Sequence, residues 1–103
     1  MSDDRLAALE AMLAEDPDDA FTRYALALEL RARGEGARAI AALEELARRA
    51  PDYVPTWFQW ARALDEAGRS DEAERVARRG VEVATAAGDD HTRRELEDLL
   101  EGL

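Results

Sequence analysis

Residues 17–50 read PDDAFTRYALALELRARGEGARAIAALEELARRA, and residues 51–84 read PDYVPTWFQWARALDEAGRSDEAERVARRGVEVA. The two stretches match in register: the step from Pro17 to Pro51 also pairs Ala27 with Ala61, Leu30 with Leu64, Gly34 with Gly68 and Ala39 with Ala73. A unit of this length accommodates two short helices and cannot bury its apolar face alone. The repeat therefore predicts an all-α solenoid of antiparallel helix pairs that stack on one another.

Apolar residues recur at intervals of three and four along the whole chain, which is the spacing of amphipathic helices. Pro17 and Pro51 each end the helix before them. Gly34, Gly68 and Gly88 are suited to helix C-termini. The predicted helices cover about residues 3–15, 19–33, 37–49, 53–67, 70–86 and 89–100.

Small polar and acidic residues precede most of these helices and are suited to cap them. The predicted N-terminal caps are Ser2, Asp18 or Asp19, Ser70, and Asp89 or Asp90. Because such caps satisfy backbone N–H groups and oppose the helix dipole, the acidic pairs at helix starts need no metal ion to explain them.

We predict one domain over residues 1–103. It comprises an N-terminal helix over 3–15 that matches the second half of a repeat, repeat one over 18–50, repeat two over 52–86, and a C-terminal capping helix over 89–100. That last segment has an apolar stripe from Leu96, Leu99 and Leu100, but its sequence does not continue the repeat. A helix with one apolar side is what the end of a stack requires.

Small residues inside the helices predict close helix packing. Ala27 with Ala39, and Ala61 with Ala73, would let paired helices cross tightly. Gly80 costs about 1 kcal/mol relative to alanine in a helix, which indicates that a neighbouring helix backbone presses against it. On the outer surface, the expected supporting ion pairs are Glu44 with Arg48 and Glu45 with Arg49.

Composition limits the possible partners. The chain has no cysteine and a formal net charge of −10. It also has no lysine, so that arginine takes the place of lysine throughout. A charge of this sign disfavours nucleic acid and favours a basic or neutral partner. Without cysteine, a targeting signal or an apolar run of about twenty residues, the sequence predicts a cytoplasmic protein without membrane attachment.

The repeated unit resembles the tetratricopeptide repeat family, whose units are about 34 residues long. The second copy carries the pattern through Trp57, Trp60, Ala61, Leu64, Gly68, Ala73, Ala77 and Gly80, and the first copy through Leu26, Ala27, Leu30, Gly34, Ala39, Leu43, Leu46 and Pro51. Three positions depart from it: Arg23 stands in the place of Trp57, Thr85 replaces a closing proline, and Gly36 stands where a polar cap would serve better.

This resemblance implies a concave groove, lined by the first helix of each repeat, that binds a peptide or protein segment. The corresponding residues here are Phe21, Tyr24, Leu28, Arg31, Pro55, Phe58, Gln59, Arg62, Asp65 and Glu66. Tyr24, Leu28 and Phe58 could instead lie buried beneath the terminal helices. Arg62 could contact a partner carboxylate, although pairing with Asp65 and Glu66 is the more common arrangement for an exposed arginine.

Residues suited to catalysis are few. His91 is the only histidine, and no motif places a nucleophile beside it. The doublets Arg48-Arg49, Arg78-Arg79 and Arg93-Arg94 each have acidic residues one helical turn away, so we interpret them as ion-paired, solvated faces. The sequence predicts a non-enzymatic protein–protein interaction module with no cofactor and no metal. The alternative, from another class, is a homo-oligomeric structural or assembly module.

Overall fold

The computed structural model describes residues 2–103, with side chains from Asp4 onward. Within these residues the chain forms six α-helices and no strand: α1 Ser2–Glu15, α2 Ala20–Ala32, α3 Gly36–Arg49, α4 Pro55–Glu66, α5 Ser70–Ala87 and α6 Asp90–Gly102. Every predicted helix boundary lies within two residues of the observed one. The predicted cap at Ser2 lies outside the described side chains.

The helices stack in chain order. α2 packs along α3 and α4 packs along α5, and these hairpins join through contacts between α3 and α4. α1 packs on α2 at one end, while α6 packs on both α5 and α4 at the other. The all-α stack of helix pairs predicted from the repeat is confirmed.

Alanine occupies the places where the helices of each pair approach most closely. Ala27, Ala39, Ala61 and Ala73 are at most 1% exposed. Larger side chains, among them Leu43, Leu46 and Leu64, fill the space beside them and are also fully buried. This arrangement follows from the sequence, because a methyl group is the largest side chain that a tight helix crossing accommodates.

Three glycines end helices α2, α4 and α5. Gly34, Gly68 and Gly88 have φ angles of +79°, +77° and +72°, the left-handed region in which other residues are strained. After each one, a backbone N–H donates to a carbonyl five residues earlier, as Glu35 N does to Leu30 O at 3.0 Å. This is the Schellman arrangement, and it satisfies carbonyls that the helix end leaves free.

Aspartate caps α2 and α6 through the same pair of bonds. Asp19 Oδ1 accepts from the Thr22 N–H at 3.3 Å, and Asp89 Oδ1 accepts from the Thr92 N–H at 3.0 Å. In both caps the threonine Oγ1 donates to the other carboxylate oxygen at 2.8 Å. These bonds lower the pKa of each aspartate.

The predicted cap at Ser70 is wrong. Arg69 is the N-cap of α5, and Ser70 is already the first helical residue, because Ala73 N donates to Arg69 O at 2.9 Å. From inside the helix, the Ser70 hydroxyl is not in the position from which a cap accepts. The acidic residues Asp71 and Glu72 in the first turn still oppose the helix dipole.

The start of α4 lacks the aspartate–threonine pair. Thr56 corresponds to Thr22, but Tyr53 stands where Asp19 would be, and the Thr56 hydroxyl is buried with no hydrogen-bond partner in the described residues. An unpaired buried hydroxyl costs about 1–3 kcal/mol.

We therefore expect Thr56→Val to raise the free energy of unfolding by about 1 kcal/mol. Thr92→Val is the matched control, since it removes a hydroxyl that donates to Asp89 and should lower stability by a similar amount. Urea unfolding followed by circular dichroism measures both. Equal losses in the two variants would show that the Thr56 hydroxyl is satisfied.

Arg23 reproduces a bond that tryptophan makes in the second repeat. Trp57 Nε1 donates to Pro51 O at 2.9 Å, and Arg23 Nε donates to Pro17 O at 2.6 Å. The two donors occupy equivalent positions in the two repeats, and so do the two acceptors. Arg23 therefore departs from the repeat in residue type but retains the contact that ties the helix to the preceding turn.

Gly80 lies where α4, α5 and α6 meet. A Cβ atom at this position would approach Trp57 Cβ at 2.7 Å and Leu96 Cδ1 at 2.9 Å. The sequence correctly indicates a packing role, but the expectation of a neighbouring backbone is wrong, because side-chain atoms from two helices occupy the space.

One glutamate on α3 pairs with two arginines. Glu45 contacts Arg48 and also accepts from Arg49 Nε at 2.6 Å. The predicted pair of Glu44 with Arg48 is wrong, because Arg48 contacts the carboxylate three residues earlier. Hydrogen bonds from Arg48 and then Arg49 lower the pKa of Glu45 to about 2. Arg49 also reaches Asp18 at 2.8 Å, which joins α3 to the segment before α2.

The other arginine doublets are mostly paired, as predicted. Arg78 contacts Glu74 at 2.8 Å, Arg93 contacts Glu97 at 2.7 Å, and Arg79 reaches Glu82 at 3.5 Å. Arg94 differs, because its Nε donates to the backbone carbonyl of Asp90 at 3.3 Å.

Candidate protein-binding surface

The candidate surface is formed by α2 and α4, the first helices of the two repeats, together with α6. We call this surface the first-helix face. At the start of α2, Phe21 is 69% exposed. Tyr24 is half-buried and packs edge-to-face on Tyr53, with ring centroids 5.7 Å apart. Leu28, one turn further on, is also half-buried. None of the three is fully buried beneath a terminal helix.

An ion pair connects α2 to α4. Arg31 Nη2 lies 2.6 Å from Glu66 Oε2, and Arg31 Nε donates to Glu66 Oε1 at 3.2 Å. The two bonds lower the pKa of Glu66 and raise that of Arg31. These two predicted site residues are thus brought together and neutralise each other at one end of the surface.

Arg62 turns toward the N-terminus of α4. Its Nη2 donates to Gln59 Oε1 at 2.6 Å, and its guanidinium carbon lies 5.4 Å from the centre of the Phe58 ring. Arg62 makes no salt bridge with Asp65 or Glu66, so the expected pairing is wrong. Glu66 is instead hydrogen-bonded to Arg31 of α2, and Arg62 acts on it only through its charge, which helps to lower the Glu66 pKa. Arg62 Nε is buried without a hydrogen-bond partner in the described residues.

Phe58 forms one wall of a pocket between α4 and α6. The pocket has a volume of about 320 Å³ and is also lined by Leu99, Glu95 and Asp98. Its floor is therefore apolar, and both charged residues on its rim are acidic. α6 covers part of the Phe58 ring but leaves the residue half-exposed.

The two remaining predicted residues lie at opposite ends of α4. Pro55 is the first residue of the helix and is half-buried, whereas Asp65 is exposed near the C-terminus. Neither lines the Phe58 pocket. The structure thus groups the predicted residues into the Arg31–Glu66 pair and the Phe58–Gln59–Arg62 cluster.

The site residues predicted from the sequence do not include Glu95, Asp98 and Leu99, because the last helix does not continue the repeat. A signal was available, since the Asp-x-x-Thr cap at Asp19 and Thr22 recurs at Asp89 and Thr92. The step along the chain from Asp19 to Asp89 is the same as the step from Leu28, a predicted groove residue, to Asp98 on α6. In the structure α6 follows α5 as α4 follows α3, so that it extends the first-helix face.

Other types of site have little support. Among residues 4–103, no group of three or more His, Asp or Glu side chains is arranged to hold a metal ion. His91 is 81% exposed, and its Nε2 lies 3.5 Å from Glu95 Oε1. No helix within residues 2–103 has the length and apolar content of a bilayer-spanning segment.

Comparison with known proteins identifies the repeat. A family model of the tetratricopeptide repeat matches residues 30–88, which is more than half of the chain. The chain belongs to the tetratricopeptide repeat family. No curated protein is significantly similar to it. The tetratricopeptide fold indicates a protein–protein interaction module, of a class that is generally non-catalytic.

Solved structures support the same assignment. A tetratricopeptide repeat domain protein from Salinibacter ruber, solved by NMR, is 38% identical with a TM-score of 0.79, over 84% of this chain and 88% of that one. A crystal structure of a tetratricopeptide repeat domain protein from the same organism is 39% identical, with a TM-score of 0.77, over 82% and 98%. The fold also matches the Yersinia enterocolitica type III secretion translocator chaperone SycD, at 19% identity and a TM-score of 0.90, over 99% and 77%.

Proposed function

We propose that this tetratricopeptide repeat protein binds a peptide or protein segment in a concave groove along its first-helix face. The observation that carries the proposal is the Phe58 pocket between α4 and α6, in which an apolar floor is accessible beside fixed charges. Aromatic side chains in such pockets are typical binding hot spots, because they offer much contact area for few rotatable bonds.

The charges around the pocket favour a basic segment with an apolar anchor. Glu95 and Asp98 are at the rim, and the chain as a whole carries −10. Arg62, the nearby cation, is engaged by Gln59 and by the Phe58 ring. An apolar side chain of the partner would contact Phe58 and Leu99, while flanking lysine or arginine residues would contact the two carboxylates.

Peptide display tests this proposal. We would select binders from two libraries with a central apolar residue, one flanked by Lys and Arg and the other by Asp and Glu. Peptides from the basic library are expected to lose at least about tenfold in affinity with Phe58→Ala and with Asp98→Arg. Glu101→Arg, also exposed on α6, should retain binding. Unchanged affinity in folded Phe58→Ala and Asp98→Arg would place the binding site elsewhere.

A homo-oligomeric module remains the alternative, and one observation favours it. Met12 on α1 is 51% exposed and Phe21 on α2 is 69% exposed, so both large apolar side chains are available to a second copy. Light scattering across a wide concentration range measures the molar mass directly. A dimer that dissociates in Met12→Glu would support this alternative, whereas a monomer at high concentration would exclude it.

A further inference from the structure

A second cleft lies between α3 and α5. Its floor is formed by Ala47, Trp57, Trp60 and Val76, and its volume is about 400 Å³. Trp57 is almost fully buried, whereas Trp60 and Val76 are half-exposed. The two indole rings lie 5.6 Å apart at an angle of 42° and form a continuous apolar surface. We call this the tryptophan cleft.

The tryptophan cleft is on the opposite side of α4 from the first-helix face. Successive helical residues are separated by about 100°, so Trp57 and Trp60 share one side of α4. Gln59, Arg62 and Glu66 project from the other side. A segment bound in the cleft would therefore not compete for the groove residues on α4.

Its charge is also opposite to that of the rest of the chain. The charged residues that line the cleft are Arg48, Arg75, Arg79 and Glu44. Three positive charges and one negative charge give a sum of +2 for the lining residues, against −10 for the whole chain; Glu45 and Glu82, which pair with Arg48 and Arg79, lie outside the lining. Arg75 makes no hydrogen bond or salt bridge within residues 4–103, and Arg79 reaches Glu82 only at 3.5 Å. Arg75, whose charge acts on Glu72 without a direct contact, is thus available to a ligand, whereas Arg79 would exchange or share its contact with Glu82.

The apolar surface continues past Arg79. A second hollow of about 340 Å³, which Arg79 also lines, has Pro51, Val83 and Ala87 in its wall and one carboxylate, Asp52. From Val76 to Ala87 the helix rises about 17 Å, at 1.5 Å per residue. An extended segment of about five residues spans that length.

We propose that the tryptophan cleft binds an acidic segment of a partner protein through one large apolar side chain. The apolar side chain packs on Trp60 and Val76, and flanking carboxylates pair with Arg75 and Arg79. Charge complementarity selects this partner, because a basic segment would meet Arg75, which has no salt bridge within residues 4–103, and Arg79, whose only salt bridge there is with Glu82 at 3.5 Å. Arg48 contributes less because it is paired with Glu45. The overall negative charge of the chain repels acidic molecules in general, so binding depends on these local contacts.

The same pair of display libraries tests the cleft. Peptides from the acidic library should be enriched and should lose at least about tenfold in affinity with Arg75→Glu and with Arg79→Glu. Arg94→Glu, which makes the same charge change outside the cleft, is the matched control. Trp57 and Trp60 are the only tryptophans, so a tryptophan-free acidic peptide should also shift the intrinsic fluorescence of the protein.

Each result bears on the proposal. Enrichment of acidic peptides that is lost in the two α5 variants and kept in Arg94→Glu supports it. The proposal is overturned if acidic peptides are enriched no more than basic ones. It is also overturned if their binding leaves the fluorescence unchanged, or if folded Arg75→Glu and Arg79→Glu bind as well as Arg94→Glu does. Loss of binding in Phe58→Ala alone would assign the acidic peptides to the groove.

Discussion

Leu96→Ala is expected to lower the free energy of unfolding by about 2–5 kcal/mol, the range for truncating a fully buried leucine. Leu96 is 0% exposed and packs in a cluster with Trp57, Ala61 and Ala77. The buried residues of α6 are Thr92 and Leu96, and Leu96 is the one with a large apolar side chain. The cavity left by truncation would remove the main attachment of α6.

Chemical denaturation followed by circular dichroism measures this loss. Leu103→Ala is the control within the same segment, because Leu103 is 38% exposed and its truncation should change stability by less than about 0.5 kcal/mol. Because α6 supplies three of the four residues that line the Phe58 pocket, Leu96→Ala should also weaken binding of basic peptides. A loss of stability below about 1 kcal/mol would contradict the role of Leu96 as the anchor.

Gly80→Ala is expected to destabilise the protein by about 1–3 kcal/mol. In a helix interior, alanine is normally more stabilising than glycine by about 1 kcal/mol. Helix propensity alone would therefore predict that Gly80→Ala raises the free energy of unfolding. The steric cost exceeds that gain because Trp57 Cβ, at 2.7 Å from the added methyl group, is attached directly to the α4 backbone and moves only if α4 moves.

Gly36→Ala provides the matched control. Gly36 is in the first turn of α3, and nothing lies within 4 Å of a Cβ atom added there. This variant should be more stable than the original chain by about 0.4–1 kcal/mol. Combining Gly80→Ala with Leu96→Ala should cost less than the sum of the two changes, since the shorter side chain makes room. A stabilised Gly80→Ala variant would disprove the close contact.

The two proposed sites use opposite sides of α4. Phe58, on the first-helix face, lines a pocket with acidic residues at its rim, whereas Trp60 faces a cleft with three arginines. One helix would thus contribute to the binding of segments with opposite charge. Such an arrangement suits a module that holds two different partners together, and the two display libraries examine each side separately.

Several features could be predicted from local sequence because their causes are local. Gly34, Gly68 and Gly88 end helices through backbone conformation, and Asp19 and Asp89 cap helices through bonds to residues three positions away. The cap predicted at Ser70 was wrong for an equally local reason: α5 begins one residue earlier than predicted from a Ser70 cap, so that Arg69 is the N-cap. The pairing of Arg62 was not predictable in this way, because its expected partner Glu66 is bonded to Arg31 from another helix.

The order of residues was sufficient for the number of helices, their pairing and the family, because a repeated helix-pair unit imposes the same short-range contacts in each copy. The direction of Arg62, the carboxylates beside Phe58 and the cationic cleft over the tryptophans depended on tertiary structure. Each of these features joins residues from different helices or from different turns of one helix. Their separation in space follows from how the helices pack, and packing depends on the fit of many side chains at once.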